Sequence, residues 1–306
     1  MRLLFPLALL TGCGAGSKSA PEAFRLAFTA TDGGSPVDCT TPAGGLGDSG
    51  AYSLGISDLR FYVSNLEFRD DAGEVLTTTF DANDFQYQGG TGWVGLIDLT
   101  GNTDGTCTGS AVAYSEGTAR TNDAISGETL VGDVASITFD VGVPQALMQE
   151  VIGSTTAEAA PSPLNEMFWS WATGYRHFVM NATVSDGSEE GDSYMHVGST
   201  GCAADGELAL ENQDSCEFVN TPHVEIDAFD LAADSVALDL AALVAGLDFL
   251  SPIYDPDTFE VIGEGVGVEC HSSPDQPDCP VLFDNFGVEI ATGEASAANN
   301  LVFVSL

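Results

Sequence analysis

The 306-residue chain carries 46 acidic and 7 basic side chains, a formal net charge of −39, and only four histidines. Such a negative surface repels phosphate backbones and anionic lipids, so we expect no nucleic-acid partner. Four imidazoles also leave an acid–base enzyme little to work with, and we predict no enzymatic activity. High solubility or a salt-adapted habitat would explain the acidity equally well. The length allows one large domain or two small ones, and the lack of an internal repeat or long linker favours one.

The beginning of the chain has the pattern of an exported lipoprotein. A positive start and the apolar residues 3–10 precede Leu10-Thr11-Gly12-Cys13, which reads as a lipobox. The apolar run is too short to span a bilayer, and residues 1–12 are interpreted as a lipoprotein signal peptide. Acyl chains on Cys13 would anchor the protein stably, as its only membrane contact. Gly14 favours the outer membrane, with the protein facing the periplasm or the cell surface.

Six of the seven cysteines follow Cys13, and an even number in an exported chain predicts disulfides. Six cysteines allow fifteen pairings. Local spacing favours Cys202 with Cys216 and Cys270 with Cys279, which leaves Cys39 with Cys107. A thiolate metal site is the rival interpretation, but the sequence has no Cys-x-x-Cys and an oxidising compartment discourages free thiols.

Short runs with alternating apolar residues recur through the chain and predict half-buried antiparallel strands. They are Phe24-Leu26-Phe28, Leu59-Phe61-Val63, Ile137-Phe139-Val141-Val143, Val224-Ile226-Ala228, and Phe303 within residues 301–306. Many short strands without a βαβ rhythm indicate an all-β protein, an antiparallel β-sandwich with long loops and a few short helices. We expect a flexible lipidated linker over residues 13–23 and one disulfide-stapled β domain over residues 24–306.

Helical signals are few. Residues 238–247 have apolar side chains at helical spacing, and residues 280–286 form a second candidate. Pro163-Leu164-Asn165 predicts the start of a short helix that carries Trp169 and Trp171.

The side chains that could bind a metal are few, and they favour copper. Cu(I) accepts imidazole, thioether and thiolate ligands at low coordination number. With the thiols in disulfides, the methionines and the four imidazoles remain, which are His177, His196, His223 and His271. An indole is a poor ligand, but its oxidation to kynurenine would expose an aniline nitrogen and a ketone.

An ordered set of motifs resembles one known family. The most specific are residues 166–176, His196-Val197-Gly198-Ser199-Thr200-Gly201-Cys202, and the segment from Cys270-His271 to Cys279. Residues 58–64, Val141-Gly142-Val143-Pro144 and residues 163–165 match further segments in the same order. Over most of its length the chain resembles the MbnP-like family, also called the four-Cys metallo-mystery pair family.

This resemblance implies a secreted or surface β-rich protein that binds copper, as Cu(I) in our interpretation. It also implies a di-haem peroxidase-like (MbnH-like) partner that oxidises one tryptophan to kynurenine. By position, His196 would be a copper ligand and Trp169 or Trp171 the modified residue. The four family cysteines would be Cys202, Cys216, Cys270 and Cys279.

One position departs from the family pattern. The family has Leu-Asn-His after Gly-Val-Pro, where the histidine resembles a second copper ligand. Here the corresponding residues are Leu147-Met148-Gln149. Since glutamine is a weak ligand for Cu(I), Met148 or His177 would have to compensate for Gln149. The alternative is that this chain binds copper weakly or not at all.

Structural roles compete with ligation at each of these residues. One of the two tryptophans is expected in the core, His177 is expected to be structural or exposed, and His271 is expected to face solvent. His223, after Pro222, is expected in a loop. Asp58 and Arg60, on one face of a strand, predict a structural ion pair.

Two other functions compete with copper binding. An acidic β-sandwich surface module could bind calcium, a carbohydrate or a protein, although the sequence shows no EF-hand or RTX-type repeat. A hydrolase is disfavoured, because the sequence contains no Gly-x-Ser-x-Gly and no His-Glu-x-x-His.

Overall fold

The structure is a computed structural model that describes residues 20–47, 49–101, 121–152, 159–169, 174–202, 216–254, 258, 260–296, 298 and 300–306. The predicted signal peptide, Cys13, Cys107 and Trp171 lie outside these residues. Within the described ranges, no helix has the length and apolar character needed to cross a membrane.

Strands dominate the described chain. In order they are β1 (Glu22–Asp32), β2 (Ser35–Pro36), β3 (Ala43–Leu46), β4 (Tyr52–Arg69), β5 (Thr79–Phe80), β6 (Gln86–Gln88), β7 (Trp93–Asp98), β8 (Ala124–Thr129), β9 (Ser136–Val141), β10 (Arg176–Ser185), β11 (Glu190–Gly198), β12 (His223–Asp227), β13 (Val236–Asp239), β14 (Leu250–Tyr254), β15 (Val261–Val266), β16 (Val268–His271), β17 (Val288–Glu289), β18 (Glu294–Ala295) and β19 (Phe303–Ser305). The helices are α1 (Gln145–Ile152), α2 (Leu240–Leu243) and α3 (Cys279–Asn285), with a 3-10 turn at Val131–Asp133.

Two large sheets form the sandwich that the alternating sequence pattern predicts. The smaller has the order β19-β13-β1-β8-β5, with β2 beside β1. The larger runs β12-β9-β4-β10-β11-β16, with β3, β6 and β7 joined to its side. The hairpins β14–β15 and β17–β18 form two separate two-stranded sheets. The prediction of an all-β fold with few short helices is confirmed.

The main core lies between the two sheets. Phe28 of β1 meets Phe61 of β4 edge-to-face, with ring centroids 5.7 Å apart, and Phe61 meets Phe303 of β19 at 5.3 Å. All three rings are buried. Each predicted strand is present, because its alternate apolar residues supply one wall of this core.

The other face of the larger sheet is also buried. Tyr62, Val94 and Val179 on this face join an apolar cluster with residues from α1, from 160–167, with Tyr175 and with the Cys202–Cys216 disulfide. We call this the covered face. A strand whose two faces are both buried places polar side chains in the interior, and the candidate site lies there.

Both locally predicted disulfides are confirmed. Cys202 is bonded to Cys216, and Cys270 is bonded to Cys279. Cys39 is also disulfide-bonded. Its predicted partner Cys107 lies outside the described residues, so that pairing stays a prediction.

The predicted helix around the tryptophans is wrong. Met167 has a φ of +51° and Gly174 a φ of +101°, and neither belongs to a right-handed helix. The backbone N–H of Trp169 donates to the carbonyl of Gly174 at 3.1 Å, and Phe168 pairs with Tyr175 in an antiparallel bridge. Trp169 therefore lies in one of two antiparallel segments, residues 167–169 and 174–176, which we call the Trp169 hairpin.

The other two helix predictions fare differently. Residues 280–286 correspond to α3, which is confirmed. The helix predicted over residues 238–247 is shorter, and only the four residues of α2 are helical. Residues up to Asp239 belong instead to β13, which pairs with β1. The Asp239 carboxylate then caps α2 by accepting from the N–H groups of Ala241 and Ala242.

Candidate metal centre

His196 and His271 lie side by side on the covered face. His196 is on β11 and His271 on β16, and the two residues are partners in a parallel strand pair. Directly opposed residues of neighbouring strands project to the same side of a sheet. The same row continues through Val179 on β10 to Arg60 on β4.

The two imidazoles face each other through equivalent atoms. Nδ1 of His196 lies 2.9 Å from Nδ1 of His271. On the far side of the ring, Nε2 of His196 is 2.7 Å from Oδ1 of Asn181. With Oδ1 of Asn181 as the acceptor, Nε2 of His196 donates and Nδ1 of His196 carries the lone pair, which accepts from the Nδ1–H of His271. A hydrogen-bond acceptor on the second ring nitrogen fixes the tautomer of metal-ligating histidines in the same way.

Burial and nearby positive charge keep both rings neutral. Burial lowers the pKa of His196 well below its ordinary value, and His271, Arg176 and Arg60 act in the same direction. Burial, together with Arg176, lowers the pKa of His271 to about 4. Metal binding requires neutral imidazole, so both side chains are in the form that can coordinate.

Trp169 lies against this pair. Its side chain is 2% exposed, and its ring centroid is 6.1 Å from that of His196. The indole N–H donates to the carbonyl of Ser199 at 2.8 Å. A Cβ at Gly198 would come within 2.9 Å of the indole and 2.4 Å of the Tyr175 carbonyl, so glycine is required for this approach.

Disulfides fix the segments on either side of the centre. Gly174, in the Trp169 hairpin, packs so closely on Cys202 that a Cβ would lie 2.7 Å from its sulfur. On the other side, Cys270 precedes His271 and is bonded to Cys279. The N–H of His271 donates to Oε1 of Gln276 at 2.6 Å, inside that disulfide loop.

A buried ion pair holds residues 163–166, which precede Trp169, to the larger sheet. Arg60 donates to both oxygens of Asp58 at 2.7 and 2.8 Å, and to Glu166 at 3.0 Å. Tyr62 donates to the backbone carbonyls of Pro163 and Glu166. The structural role predicted for Asp58 and Arg60 is consistent with this geometry, which also positions Trp169.

The remaining predicted ligands have other described surroundings. Met148 is buried in the apolar cluster of the covered face, and Gln149 is on the exposed side of α1. Nδ1 of His177 bonds the backbone carbonyl of Asn220 at 3.1 Å. Of the predicted set, the structure brings together His196 and Trp169. The site assignments stay predictions, and Trp171 lies outside the described residues.

Two histidines differ from their predicted positions. His271 was expected to face solvent, and it is partly exposed, but its ring also packs against His196 because β16 adds to the edge of β11. His271 directly follows Cys270 in a segment that resembles a family motif, and this position was the signal that could have identified it as a site residue. His223 was expected in a loop, but it begins β12 and bonds Asp140.

The centre is not built like a common metal site. No cluster of three or more His, Cys, Asp or Glu side chains suited to a metal ion occurs among the residues that the structure describes. What the described residues offer is a neutral imidazole pair with an indole beside it. Such a set fits a metal of low coordination number that accepts nitrogen ligands.

Comparison with known proteins supports a family assignment. The MbnP family model matches residues 21–258, and this region includes Trp169 and His196. The solved structure of MbnP from Methylosinus trichosporium superposes with a TM-score of 0.67 at 23% identity, covering 94% of this chain and 98% of that one. This likeness shows a shared fold. The curated proteins searched gave no match. Because the family model spans more than three-quarters of the sequence, the chain belongs to the MbnP family.

Proposed function

We propose that this protein captures copper at the centre formed by His196 and His271. The observation that carries the proposal is the 2.9 Å approach of two Nδ1 atoms inside the protein. Asn181 holds the first ring so that its lone pair faces the second. When bound, copper would supply a coordination bond to each imidazole, and the protein's residues supply the orientation and the exclusion of water.

Copper is favoured over other metals by the donor set. Imidazole suits Cu(I), which accepts few ligands, whereas calcium requires several oxygen donors in a shaped loop. The four disulfide cysteines of the site region hold no free thiolate, so nitrogen donors dominate. The chain's membership in the MbnP family points to the same metal.

A third ligand is proposed to come from Trp169. Cleavage of the indole C2–C3 bond with addition of two oxygen atoms, followed by hydrolysis that releases C2 as formate, would convert Trp169 to kynurenine. The product would expose an aniline nitrogen and a ketone beside His196. Because the indole is buried and its N–H is bonded to Ser199, the ring is held in one orientation. A di-haem peroxidase-like (MbnH-like) partner would supply the oxidising equivalents. Trp171, two residues further along the chain, is the alternative target.

Copper affinity tests the imidazole pair directly. In anaerobic competition with bicinchoninate, His196→Ala and His271→Ala should each weaken Cu(I) binding by on the order of 100-fold or more, above the loss expected for an outer-shell change. His223→Ala is the matched control, because that imidazole bonds Asp140 at the opposite edge of the sheet and should leave affinity unchanged. Unchanged affinity in both site variants would overturn the proposal.

Peptide mass spectrometry tests the modification. Protein made with its partner should show the mass gain of kynurenine on the peptide that contains residue 169. Trp169→Phe should abolish that gain, and Trp171→Phe should retain it. An unmodified peptide from the native host would contradict the role of the partner. The reverse result for the two variants would move the modification to Trp171.

We further propose that the protein is an outer-membrane lipoprotein that acts by capture, with no catalytic turnover. The lipobox ending at Cys13 and the following Gly14 support this placement. Cys13→Ala should release the protein from the membrane fraction while leaving Cu(I) affinity intact. Retention of the variant in that fraction would contradict lipid anchoring.

A further inference from the structure

A cleft on the surface leads to His271. It has a volume of about 720 Å³ and lies between the β14–β15 hairpin and the beginning of β11. Four of the lining residues have carboxylate side chains. No lysine or arginine is among the lining residues that the structure describes. These acids are Glu189, Glu190, Asp192 and Glu269.

The cleft and the imidazole pair are continuous. Tyr194 and His271 both line the cleft, and their ring centroids are 5.6 Å apart. His271 in turn faces His196, which is 2% exposed. Of the two imidazoles, His271 is therefore the one that solvent in the cleft can reach.

The far wall of the cleft is held by close backbone contact. A Cβ at Gly191 would lie 1.6 Å from the carbonyl oxygen of Val266, so the hairpin packs directly on β11 there. A Cβ at Gly267 would lie 2.3 Å from Oγ of Ser251. Gly191 and Gly267 thus allow the hairpin to pack closely against the sheet and to form one wall of the cleft.

A carboxylate is also tied to the His271 backbone. Nε2 of Gln276 donates to Glu269 at 3.1 Å, and Oε1 of the same amide accepts the His271 N–H. Glu269 is thereby linked to the backbone of His271, and it is the strand partner of Tyr194. Carboxylates therefore line the same cleft as His271.

We infer that this cleft is the entry path for copper, in which carboxylates steer the cation to His271 before it reaches His196. The inference rests on the proposed function and adds a route to it. A cleft of one charge sign, with protein walls of low dielectric, focuses the field and raises the rate of cation arrival. Carboxylates are poor ligands for Cu(I), so they attract the ion without retaining it.

Association kinetics test the route. Cu(I) is supplied as its cationic acetonitrile complex under anaerobic conditions, and quenching of tryptophan fluorescence is followed by stopped flow. The triple variant Glu190→Gln, Asp192→Asn, Glu269→Gln should lower the association rate about ten-fold at low salt. The difference should shrink in roughly 0.5 M salt, where screening is strong.

A matched triple variant controls for net charge. Glu128→Gln, Glu225→Gln and Asp227→Asn remove the same charge from exposed sites. Glu225 and Asp227 are on β12, at the edge of the sheet opposite β16. This variant should associate at a rate within about two-fold of the wild type, since distant exposed charges are screened.

A single exposed position provides a second test that does not disturb the acids. Ile253, on the hairpin wall, is 47% exposed, and Val304 on β19 is 42% exposed. Ile253→Arg places a cation in the cleft and should slow association, whereas Val304→Arg should not. Both substitutions are at the surface, so the fold should tolerate them.

The outcomes separate the route from the function. Wild-type rates in both cleft variants, with binding lost in His271→Ala, would overturn the cleft inference and leave copper capture standing. A wild-type protein that fails to bind Cu(I) would overturn both. Equal slowing in the cleft and control triples would show a response to net charge and would also reject the route.

Discussion

The two faces of the larger sheet differ in chemistry but not in burial. On one face, Leu59 and Phe61 of β4 enter the core between the sheets. On the other, Asp58 and Arg60 of the same strand are 0% and 2% exposed. An alternating strand normally indicates a wet face and a dry face. Here a cover over the polar face turns it into an enclosed layer that positions His196.

This difference between the two faces shows which residues must have particular partners for the fold to be unique. The apolar face needs close packing, and many apolar residues of suitable volume would provide it. The polar face needs each buried group to meet a particular partner, because an unpaired buried charge is strongly destabilising. We therefore expect substitutions on the two faces to fail in different ways.

The largest expected effect comes from Arg60→Ala. The substitution leaves the buried Asp58 carboxylate unpaired and releases Glu166 from the sheet. We expect the free energy of unfolding to fall by about 3–5 kcal/mol, as measured by urea denaturation. The near-UV signal of Trp169 should weaken as well, because Glu166 belongs to the segment that approaches it.

A double substitution distinguishes charge from packing. Asp58→Leu with Arg60→Met removes both charges and keeps apolar volume, so it should recover much of the lost stability. Phe61→Ala on the opposite face should cost a similar amount by creating a cavity, without changing the environment of Trp169. If the double variant is as unstable as Arg60→Ala, desolvation of Asp58 is not the cause.

The next largest effect concerns His177, which lies at the register shift between Arg176 and Phe178 in the pairing of β10 with β11. Burial lowers its pKa to about 4 from 6.5. Between these values the unfolded chain binds a proton that the folded chain does not, so stability is lost as pH falls from 6.5 toward 4. This shift corresponds to about 3 kcal/mol. His177→Gln should lose that much less stability between pH 7 and pH 4 than the wild type does, and parallel pH profiles in urea unfolding would contradict it.

Local sequence patterns predict the strands and two disulfides well. Alternation in residues 59–63 and 137–143 requires nothing beyond neighbouring residues, because the period of a strand is local. Cys202–Cys216 and Cys270–Cys279 are likewise close in sequence. The tryptophan helix fails because left-handed backbone at Met167 redirects the chain, and nothing in Pro163-Leu164-Asn165 reveals it.

Local sequence patterns predict only part of the candidate site. His196 and Trp169 belong to motifs that resemble a family, and both are found side by side. His271 lies 75 residues from His196, and its neighbour is set by the pairing of β16 with β11. Local sequence patterns do not determine which edge of a sheet a strand near the end of the chain, such as β16, will join. The burial of this face of the sheet is equally non-local, since residues 143–151, 160–167 and Tyr175 supply much of the cover.

The disulfides sharpen the comparison, since each belongs to one face. Cys270 and Cys279 are in the core between the sheets, and Cys202 and Cys216 are in the covered cluster. Replacing either pair by serine should cost about 3 kcal/mol through loss of loop restriction. Loss of the first pair should mainly weaken Cu(I) affinity through His271. Loss of the second should mainly alter the near-UV spectrum through the Trp169 hairpin. Identical effects on both readouts would remove the distinction.

The smallest expected effect tests the packing of Trp169 itself. Gly198→Ala places a Cβ 2.4 Å from the Tyr175 carbonyl and 2.9 Å from the indole, so the hairpin must move outward. We expect a loss of about 1–3 kcal/mol in urea unfolding, together with weaker Cu(I) binding, because the indole leaves His196. Gly132→Ala is the control, since a Cβ there meets nothing within 4 Å. Wild-type stability and affinity in Gly198→Ala would show that the indole does not need this glycine. The polar face would then tolerate added volume as readily as a surface does, and the fixed placement of Trp169 beside His196 would lose its basis.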